Sequence, residues 1–157
     1  WIYMHRRMKL REAALNTIIR QLRDAAGHAE DVKEEAVADL QEEKLLSRSD
    51  KEFLNKVVTF VIKRVGQSDA SIESLASDMC ITRGYLNRKL KTITGMTAQQ
   101  YVQRIRMEQA RLILESRTEV TVVDLAMQCG FEDSASFTRA FRRVFGKTPS
   151  QYREDCA

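Results

Sequence analysis

The 157-residue sequence predicts an all-α protein, in which two similar helical units are joined by a long linker helix and preceded by a long helical arm. Strand-like runs of β-branched and aromatic residues are almost absent, and apolar residues recur at helical spacing instead. Residues 71–153 repeat their own pattern at an offset of about 51 positions, which indicates a duplicated unit. Since 43% of the residues are hydrophobic, the chain can also bury a core.

The N-terminal arm, residues 1–48, is expected to be helical, because residues 8–46 contain one glycine and no proline. Its apolar positions follow in steps of three and four over about three heptads, as in a coiled coil. Several of them are alanines, which bury little apolar area, so a long solvated helix is the alternative to pairing. We expect the arm to form a homodimer through Leu15, Ile18, Leu22, Ala25, Ala29, Val32 and Ala36.

The first nine residues place Trp1 and Tyr3 directly before a basic stretch. This order is typical of the point where a membrane helix enters the cytoplasm, although a chain that starts inside an ordinary helix looks the same. Because the first residue is not Met, we expect an upstream sensor region in a longer protein. The expected location is the cytoplasm. If Trp1 and Tyr3 mark the end of a membrane helix, the domain is tethered to the inner face of the membrane.

A second domain is predicted over residues 49–157. Ser49 and Glu52 have the spacing of a capping box, and the helix that follows places Phe53, Val57, Phe60, Val61 and Val65 on one face.

The duplicated unit is predicted to consist of a helix, a short turn and a second helix. The two helix-turn-helix subdomains cover about residues 71–95 and 121–146, and the linker helix covers about 97–116. One residue is inserted in the second copy at the turn, where Gly130 supplies the bend. Pro149 is expected to begin a short closing helix that ends at Tyr152. The predicted helix caps are Ser71, Thr82, Thr97, Thr121 and Asp133.

The charge distribution indicates a polyanionic partner. The net charge is only +4, but residues 82–107 carry six lysine or arginine residues and residues 134–153 carry five, with no acidic residue in either block. In the second helix of each unit the apolar positions turn inward and leave small, amide and guanidinium groups outside. Such a face fits the major groove of DNA, where Asn reads adenine, Arg reads guanine, and neighbouring cations bind phosphates. A linker helix of about 20 residues spans about 30 Å, close to the 34–36 Å between successive major grooves on one face of DNA.

Enzymatic and metal-dependent functions are not expected. The sequence has two histidines at no ligand spacing, no glycine-rich phosphate loop and no pair of nucleophile and base, so no cofactor is predicted. The three cysteines form no C-x-x-C pair, which favours reduced thiols. We expect Cys80 and Cys129 to be small buried hydrophobic residues, and the phenylalanines of the second unit to be core residues.

A family resemblance lies in residues 130–153, whose sequence is GFEDSASFTRAFRRVFGKTPSQYR. This segment closely resembles the signature of the AraC/XylS family of bacterial transcription regulators. The stretch from Leu75-Ala76 through Gly95-Met96-Thr97 to Tyr101 is similar to the first helix-turn-helix of that family. The resemblance implies a DNA-binding domain that contacts two adjacent major grooves. It does not extend to residues 1–46.

The site residues follow from this resemblance and from the basic blocks. Gly84, Ser134 and Ala135 have small side chains, so base readout is expected to rest on Asn87, Arg88, Thr138 and Arg139. The complete predicted DNA-binding set is Arg83, Gly84, Tyr85, Asn87, Arg88, Lys91, Ser134, Ala135, Thr138, Arg139, Arg142 and Arg143.

The sequence therefore predicts a sequence-specific regulator of transcription, which forms the output part of a sensor protein. It does not distinguish an activator from a repressor. Double-stranded DNA and RNA polymerase are the expected partners. The alternative is a helical signalling adaptor that binds polyanions without sequence preference. Removing Arg88 and Arg139 should relax sequence preference under the first hypothesis, and should leave partner binding largely unchanged under the second.

Overall fold

A computed structural model describes residues 9, 12, 15–23, 47–64, 71–116 and 119–156 of the chain. Within these ranges the regular structure is helical throughout, which confirms the prediction of an all-α fold. Residues 15–23 are helical, and the later part of the chain forms helices α1 (Arg48–Lys63), α2 (Ile72–Asp78), α3 (Arg83–Thr94), α4 (Ala98–Ser116), α5 (Val122–Gln128), α6 (Ser134–Phe145) and α7 (Pro149–Cys156).

The predicted helix caps are confirmed at Ser71, Thr82, Thr97, Thr121 and Asp133. Each side-chain oxygen accepts a hydrogen bond from the backbone N–H three residues further along, at 2.6–3.2 Å. These bonds satisfy N–H groups that have no partner within the first turn of a helix. Helix starts are thus determined locally, by a single side chain at each position.

Two predicted helix ends are wrong. Helix α1 begins two residues earlier than expected, because Ser47 rather than Ser49 is its cap: the Ser47 hydroxyl accepts from the Asp50 N–H at 3.1 Å. Helix α7 ends at Cys156 rather than at Tyr152. No glycine or proline follows Pro149 to interrupt it, and its last turn is bound through an ion pair between Asp155 and Lys147, which lies two residues before the helix.

The helices enclose two hydrophobic cores that share helix α4. The first core lies among residues 15–23, α1, α2, α3 and the first half of α4, and the second among the rest of α4, α5, α6 and α7. Ile105 belongs to the first core and Met107 to the second, and both side chains are fully buried. The predicted linker helix is therefore part of both cores rather than a free connection.

The described part of the N-terminal arm packs onto the first core. Ile18 and Leu22 are buried there, and Leu15 packs against the same cluster. The expectation that Ile18 and Leu22 pair with a second arm is thus wrong, because the chain itself covers their side chains, whereas Leu15 is only partly buried. Pairing of the arm through its other heptad positions stays a prediction. The remaining heptad positions Ala25, Ala29, Val32 and Ala36, together with residues 1–8 and Val65, lie outside the described residues.

The turns of the two units have the same backbone conformation. Cys80 and Gly130 occupy the left-handed region at φ 56° and 80°. The next residue in each turn, Ile81 or Phe131, donates a backbone hydrogen bond to the carbonyl five residues earlier, at 3.0 and 2.9 Å. This is the Schellman arrangement, in which the left-handed position is usually glycine. The inserted residue of the second unit, Glu132, comes after the turn and before the next cap.

The cysteines differ in exposure. Cys129 is buried, as predicted, whereas Cys80 is exposed, which corrects the expectation that both are core residues. The reason is the position of Cys80 at the left-handed apex of its turn, from which its side chain points away from the core.

Candidate nucleic-acid interface

Helices α3 and α6 are the second helices of the two units, and they bury equivalent residues. Leu86 and Leu90 of α3 are fully buried, as are Phe137 and Phe141 of α6. Residues spaced by four share one face of a helix, so the opposite face of each helix is left to solvent. The structure thus presents two similar outward faces on one chain.

An arginine lies at the centre of each outward face. Arg88 and Arg139 are equivalent in the repeat and both are exposed. A small residue precedes each of them by four positions, and a Cβ added to Gly84 would lie 3.6 Å from Nη1 of Arg88. A basic residue follows each arginine by three positions. The two faces are Gly84, Arg88 and Lys91 on α3, and Ala135, Arg139 and Arg142 on α6.

Neither α3 nor α6 contains an acidic residue. Arg83, at the start of α3, forms an ion pair with Glu73 of α2, so part of its charge is already compensated. Arg139 donates a hydrogen bond from its Nη2 to Oγ of Ser136 at 3.4 Å, and it forms no ion pair with a carboxylate of the described residues. Four other cations make no ion pair with a carboxylate in the described parts of the chain: Arg88, Lys91, Arg142 and Arg143.

The first basic block is only partly a surface feature. Nζ of Lys89 lies 4.7 Å from the centre of the Phe53 ring in α1, and 5.8 Å from that of Tyr85. Such cation–π contacts stabilise packing between helices. Arg104 and Arg106 lie on α4 and are half-buried. The charge surplus of residues 82–107 thus overstates the charge that α3 presents to a partner.

A buried carboxylate in α4, that of Glu108, forms ion pairs with Arg104 and Arg111 of the same helix. Glu108 is only 2% exposed. One of its oxygens accepts from Nε and Nη2 of Arg104 at 3.2 and 3.1 Å, and the other accepts from Nε of Arg111 at 2.8 Å. Arg111 also binds Glu115, whose carboxylate accepts from the Tyr152 hydroxyl of α7 at 2.7 Å. This network was not predicted from the sequence, although arginines four positions before and three positions after a glutamate on an apolar helix face would have indicated it.

The second unit surrounds its turn with aromatic rings and a buried thiol. Phe131 and Phe137 pack edge to face with ring centres 5.4 Å apart, and Phe141 packs in the same way against Tyr152 at 5.7 Å. The prediction of core phenylalanines is thus confirmed for Phe137 and Phe141, which are fully buried, whereas Phe131 and Phe145 are half-buried and pack against the same core. Burial raises the pKa of the Cys129 thiol to about 12, so that it stays protonated at neutral pH.

At the start of α6, hydrogen bonds from the backbone N–H and hydroxyl of Ser136 lower the pKa of the Asp133 carboxyl. The cap is thus ionised at neutral pH, and its charge lies at the positive end of the helix dipole.

All twelve predicted DNA-binding residues lie on α3 or α6. Ser134 and Thr138 are half-buried and the others are exposed. Two of them contact another helix: Arg83 through its ion pair with Glu73 of α2, and Asn87, whose Oδ1 accepts a hydrogen bond from the backbone N–H of Ala98, the first residue of α4, at 2.8 Å. The structure therefore brings the predicted residues together in two groups of six, one on each helix.

Two other kinds of site are absent from the described residues. No helix among them is both long enough and apolar enough to cross a membrane. In the same part of the chain, histidine, cysteine and acidic side chains do not gather in a group of three or more that could hold a metal ion.

The repeated helix pair identifies the family. The sequence pattern of a helix-turn-helix domain, the AraC-type domain, matches residues 75–155, just over half of the chain. The chain belongs to the AraC-type helix-turn-helix family.

Among relatives of this AraC-type domain, the Msm operon regulatory protein of Streptococcus mutans is 27% identical over 107 residues, covering 68% of this chain and 38% of that protein. The transcriptional activator RhaS of an Enterobacter species is 38% identical over 86 residues, covering 55% of this chain and 31% of RhaS. The chain spans about a third of the length of the curated relatives it matches.

Solved structures with the same fold include the C-terminal domain of AraT, a response regulator from Geobacillus stearothermophilus. It is 30% identical, has a TM-score of 0.59, and the match covers 66% of this chain and 84% of that one. The DNA-binding domain of AdpA, solved in complex with a target DNA, is 27% identical with a TM-score of 0.57, over 64% of this chain and 88% of that one.

Proposed function

We propose that this chain is the DNA-binding output part of a longer transcription regulator, and that α3 and α6 enter two successive major grooves of duplex DNA. The observation that supports this best is the equivalence of Arg88 and Arg139. Each is exposed at the centre of a helix face that carries no acidic residue, and each helix is attached to the same α4. The complex of AdpA with its target DNA supports DNA as the partner.

The outward faces assign a role to each kind of side chain. Arg88 and Arg139 have the forked guanidinium that binds guanine through O6 and N7, and Thr138 lies beside Arg139 for a further base contact. Gly84 and Ala135 leave room for the helix backbone to approach the groove. The remaining cations bind phosphates and set the position of the helices: Arg83, Lys91, Arg142 and Arg143. Tyr85 and Ser134 lie at the N-terminal ends of the two helices, where base and sugar contacts are both within reach.

Helix α4 fixes the spacing of the two contacts. Its 19 residues span about 28 Å at 1.5 Å per residue, near the separation of successive major grooves. Because its two halves are embedded in different cores, α3 and α6 are held by one continuous helix. We therefore expect a target site with two half-elements about 10 base pairs apart.

The test is selection from a randomised pool of duplex DNA at two salt concentrations, followed by sequencing of the bound fraction. The wild type should enrich two half-elements, and its affinity should fall steeply with salt. Arg139→Ala should weaken binding by about 5- to 150-fold and relax preference at one base pair of one half-element. Arg143→Ala should weaken all sequences alike and lower the salt slope by about 0.9. Lys56→Ala removes an exposed charge from α1 and is the matched control, with little effect on either quantity.

Salt-sensitive binding without an enriched sequence would contradict this proposal and favour an adaptor that binds polyanions. Equal loss from Arg139→Ala at every sequence would show that Arg139 contacts phosphate rather than base. Absence of binding to any duplex would exclude DNA as the partner of the isolated chain.

Further parts of the proposal concern the longer protein. RhaS and RhaR are named as transcriptional activators, which supports activation with RNA polymerase as a partner. We propose that a homodimer of the arm uses positions other than Ile18 and Leu22, because these two side chains are buried in the first core of the chain itself. We propose an upstream sensor region and a cytoplasmic location for the domain, with or without a membrane anchor, and no catalytic role.

A further inference from the structure

The amide of Asn87 connects the first recognition helix to the helix shared by both cores. Its Oδ1 lies 2.8 Å from the backbone nitrogen of Ala98, which donates the hydrogen bond. Ala98 is the first residue of α4 and is only 1% exposed. A buried N–H without a partner is costly, so this contact satisfies a requirement of the fold.

The capping box of α4 does not reach this N–H group. Thr97 accepts from the N–H of Gln100 through Oγ1 at 3.2 Å, and Gln100 returns the bond by accepting from the N–H of Thr97 through Oε1 at 3.1 Å. The box therefore leaves the first helical N–H, at Ala98, to another acceptor. Asn87 is that acceptor, and it comes from a different helix.

In the second unit the first residue of the closing helix has no N–H group that needs an acceptor. Its closing helix has the equivalent capping box, formed by Thr148 and Gln151 at 3.0 and 3.3 Å. The position equivalent to Ala98 is Pro149, which has no N–H group and therefore needs no acceptor. The residue equivalent to Asn87 is Thr138, whose hydroxyl has no hydrogen-bond partner in the described part of the chain.

We propose that Asn87 is a positioning residue, which fixes α3 against the start of α4, and that it does not read adenine. Bidentate recognition of adenine needs both the amide oxygen and the amide nitrogen of an asparagine. In this structure the oxygen is bound to Ala98, so only the NH2 group of Asn87 is available, and it can only donate. The base readout of the first half-element then rests on Arg88, and that of the second on Thr138 together with Arg139. This inference rests on the proposed function.

A double-mutant cycle between Asn87→Ala and Ala98→Pro tests the positioning role in the full chain. Asn87→Ala leaves the buried N–H without a partner and should lower the melting temperature by about 3–6 °C. Ala98→Pro alone should also lower it, because the proline ring replaces the hydrogen that points at Oδ1 of Asn87. The double variant has proline at the first helical position, as the second unit does, and no asparagine amide facing it, so its loss should be smaller than the sum of the two single losses. Additive losses would overturn the proposal.

A second variant covers the case in which the double variant does not fold. Asn87→Asp keeps an oxygen acceptor and places negative charge at a helix N-terminus, which is favourable. It should melt within about 2 °C of the wild type if the acceptor is what matters. A loss as large as that of Asn87→Ala would contradict the positioning role.

Selection of duplex DNA separates positioning from base reading. The double variant should keep the wild-type base preference at every position, whereas Thr138→Ala, the matched control at the equivalent position, should relax preference at one base pair of the other half-element. Relaxed preference in the first half-element with the double variant would show that Asn87 reads a base. If even the wild type enriches no sequence, the proposed function fails, and the melting cycle alone decides whether Asn87 positions α3.

Discussion

Replacing Gly130 by alanine should destabilise the domain through its backbone conformation alone. Gly130 has φ of +80°, where an L-residue costs about 1–2 kcal/mol. An added Cβ would meet nothing closer than Cζ of Arg106 at 3.6 Å, an ordinary van der Waals contact, so no clash adds to this cost. The lower entropy of the unfolded alanine chain offsets about 0.4–1 kcal/mol. The free energy of unfolding should therefore fall by about 0.5–1 kcal/mol.

Urea unfolding at equilibrium measures this difference. With a slope of about 1.5 kcal/mol per molar, the midpoint of Gly130→Ala should fall by about 0.3–0.7 M at unchanged slope. Two other variants are expected to shift the urea midpoint in the opposite direction. Cys80→Gly puts glycine at the equivalent left-handed position of the first unit, where the exposed thiol packs against little, and should raise the midpoint. Gly84→Ala lies inside α3, where alanine is the better helix former, and should raise it as well.

A higher midpoint for Gly130→Ala, like that expected for Gly84→Ala, would contradict a backbone cost at the left-handed position of Gly130. A lower midpoint for Cys80→Gly would also contradict it, since the two turns would then not share one conformational requirement.

Three further predictions concern buried and ionised groups. Glu108→Gln should lower the free energy of unfolding, measured by urea titration, by about 2 kcal/mol, because it removes the charge that two half-buried arginines bind. A loss below about 0.5 kcal/mol would show that solvent already screens the two ion pairs of Glu108. The pKa of Asp133 is lowered in the folded state, so its carboxylate stabilises the fold fully above the unfolded pKa near 3.8, and this contribution is lost as the pH falls through the folded pKa. The unfolding midpoints measured at pH 6 and pH 3 should therefore differ less in Asp133→Asn than in the wild type. In the native protein an aromatic disulfide reagent should label Cys80 and Cys156 rapidly, and Cys129 only after urea is added. Burial both covers the Cys129 thiol and raises its pKa. Rapid labelling of all three thiols would show that the second core opens.

The fold could be predicted from the sequence because its signals are local. Each cap is a side chain with an acceptor oxygen in front of an apolar helical pattern, and the repeat allowed each unit to be compared with the other. The prediction failed at Ser49 because two serines lie near the start of the same helix. Only the backbone geometry decides which hydroxyl accepts the hydrogen bond from the N–H three residues further along, and in the structure it is that of Ser47. The prediction failed at Cys80 because exposure at a left-handed turn is a property of the backbone rather than of the residue type.

The candidate site was predictable as a pair of helix faces but not in its finer contacts. Helical spacing placed Arg88 and Arg139 outside because their neighbours at the apolar positions had to be inside. The ion pair of Arg83 with Glu73 depends on how α2 and α3 meet at the turn, which periodicity does not describe. Nor does periodicity show that the arm at Ile18 packs on the first core, because a heptad pattern predicts an apolar face and not the surface that covers it.

Sharing α4 between both cores restricts how this domain can vary over evolution. One residue inserted inside α4 would turn everything beyond it by about 100° and advance it by about 1.5 Å, which would move α6 out of phase with α3. Changes in length are therefore confined to the turns, as the added Glu132 illustrates. Under the proposed function, the target site would have the same restriction: its base identities could change in one half-element at a time, whereas its spacing could change only together with the protein.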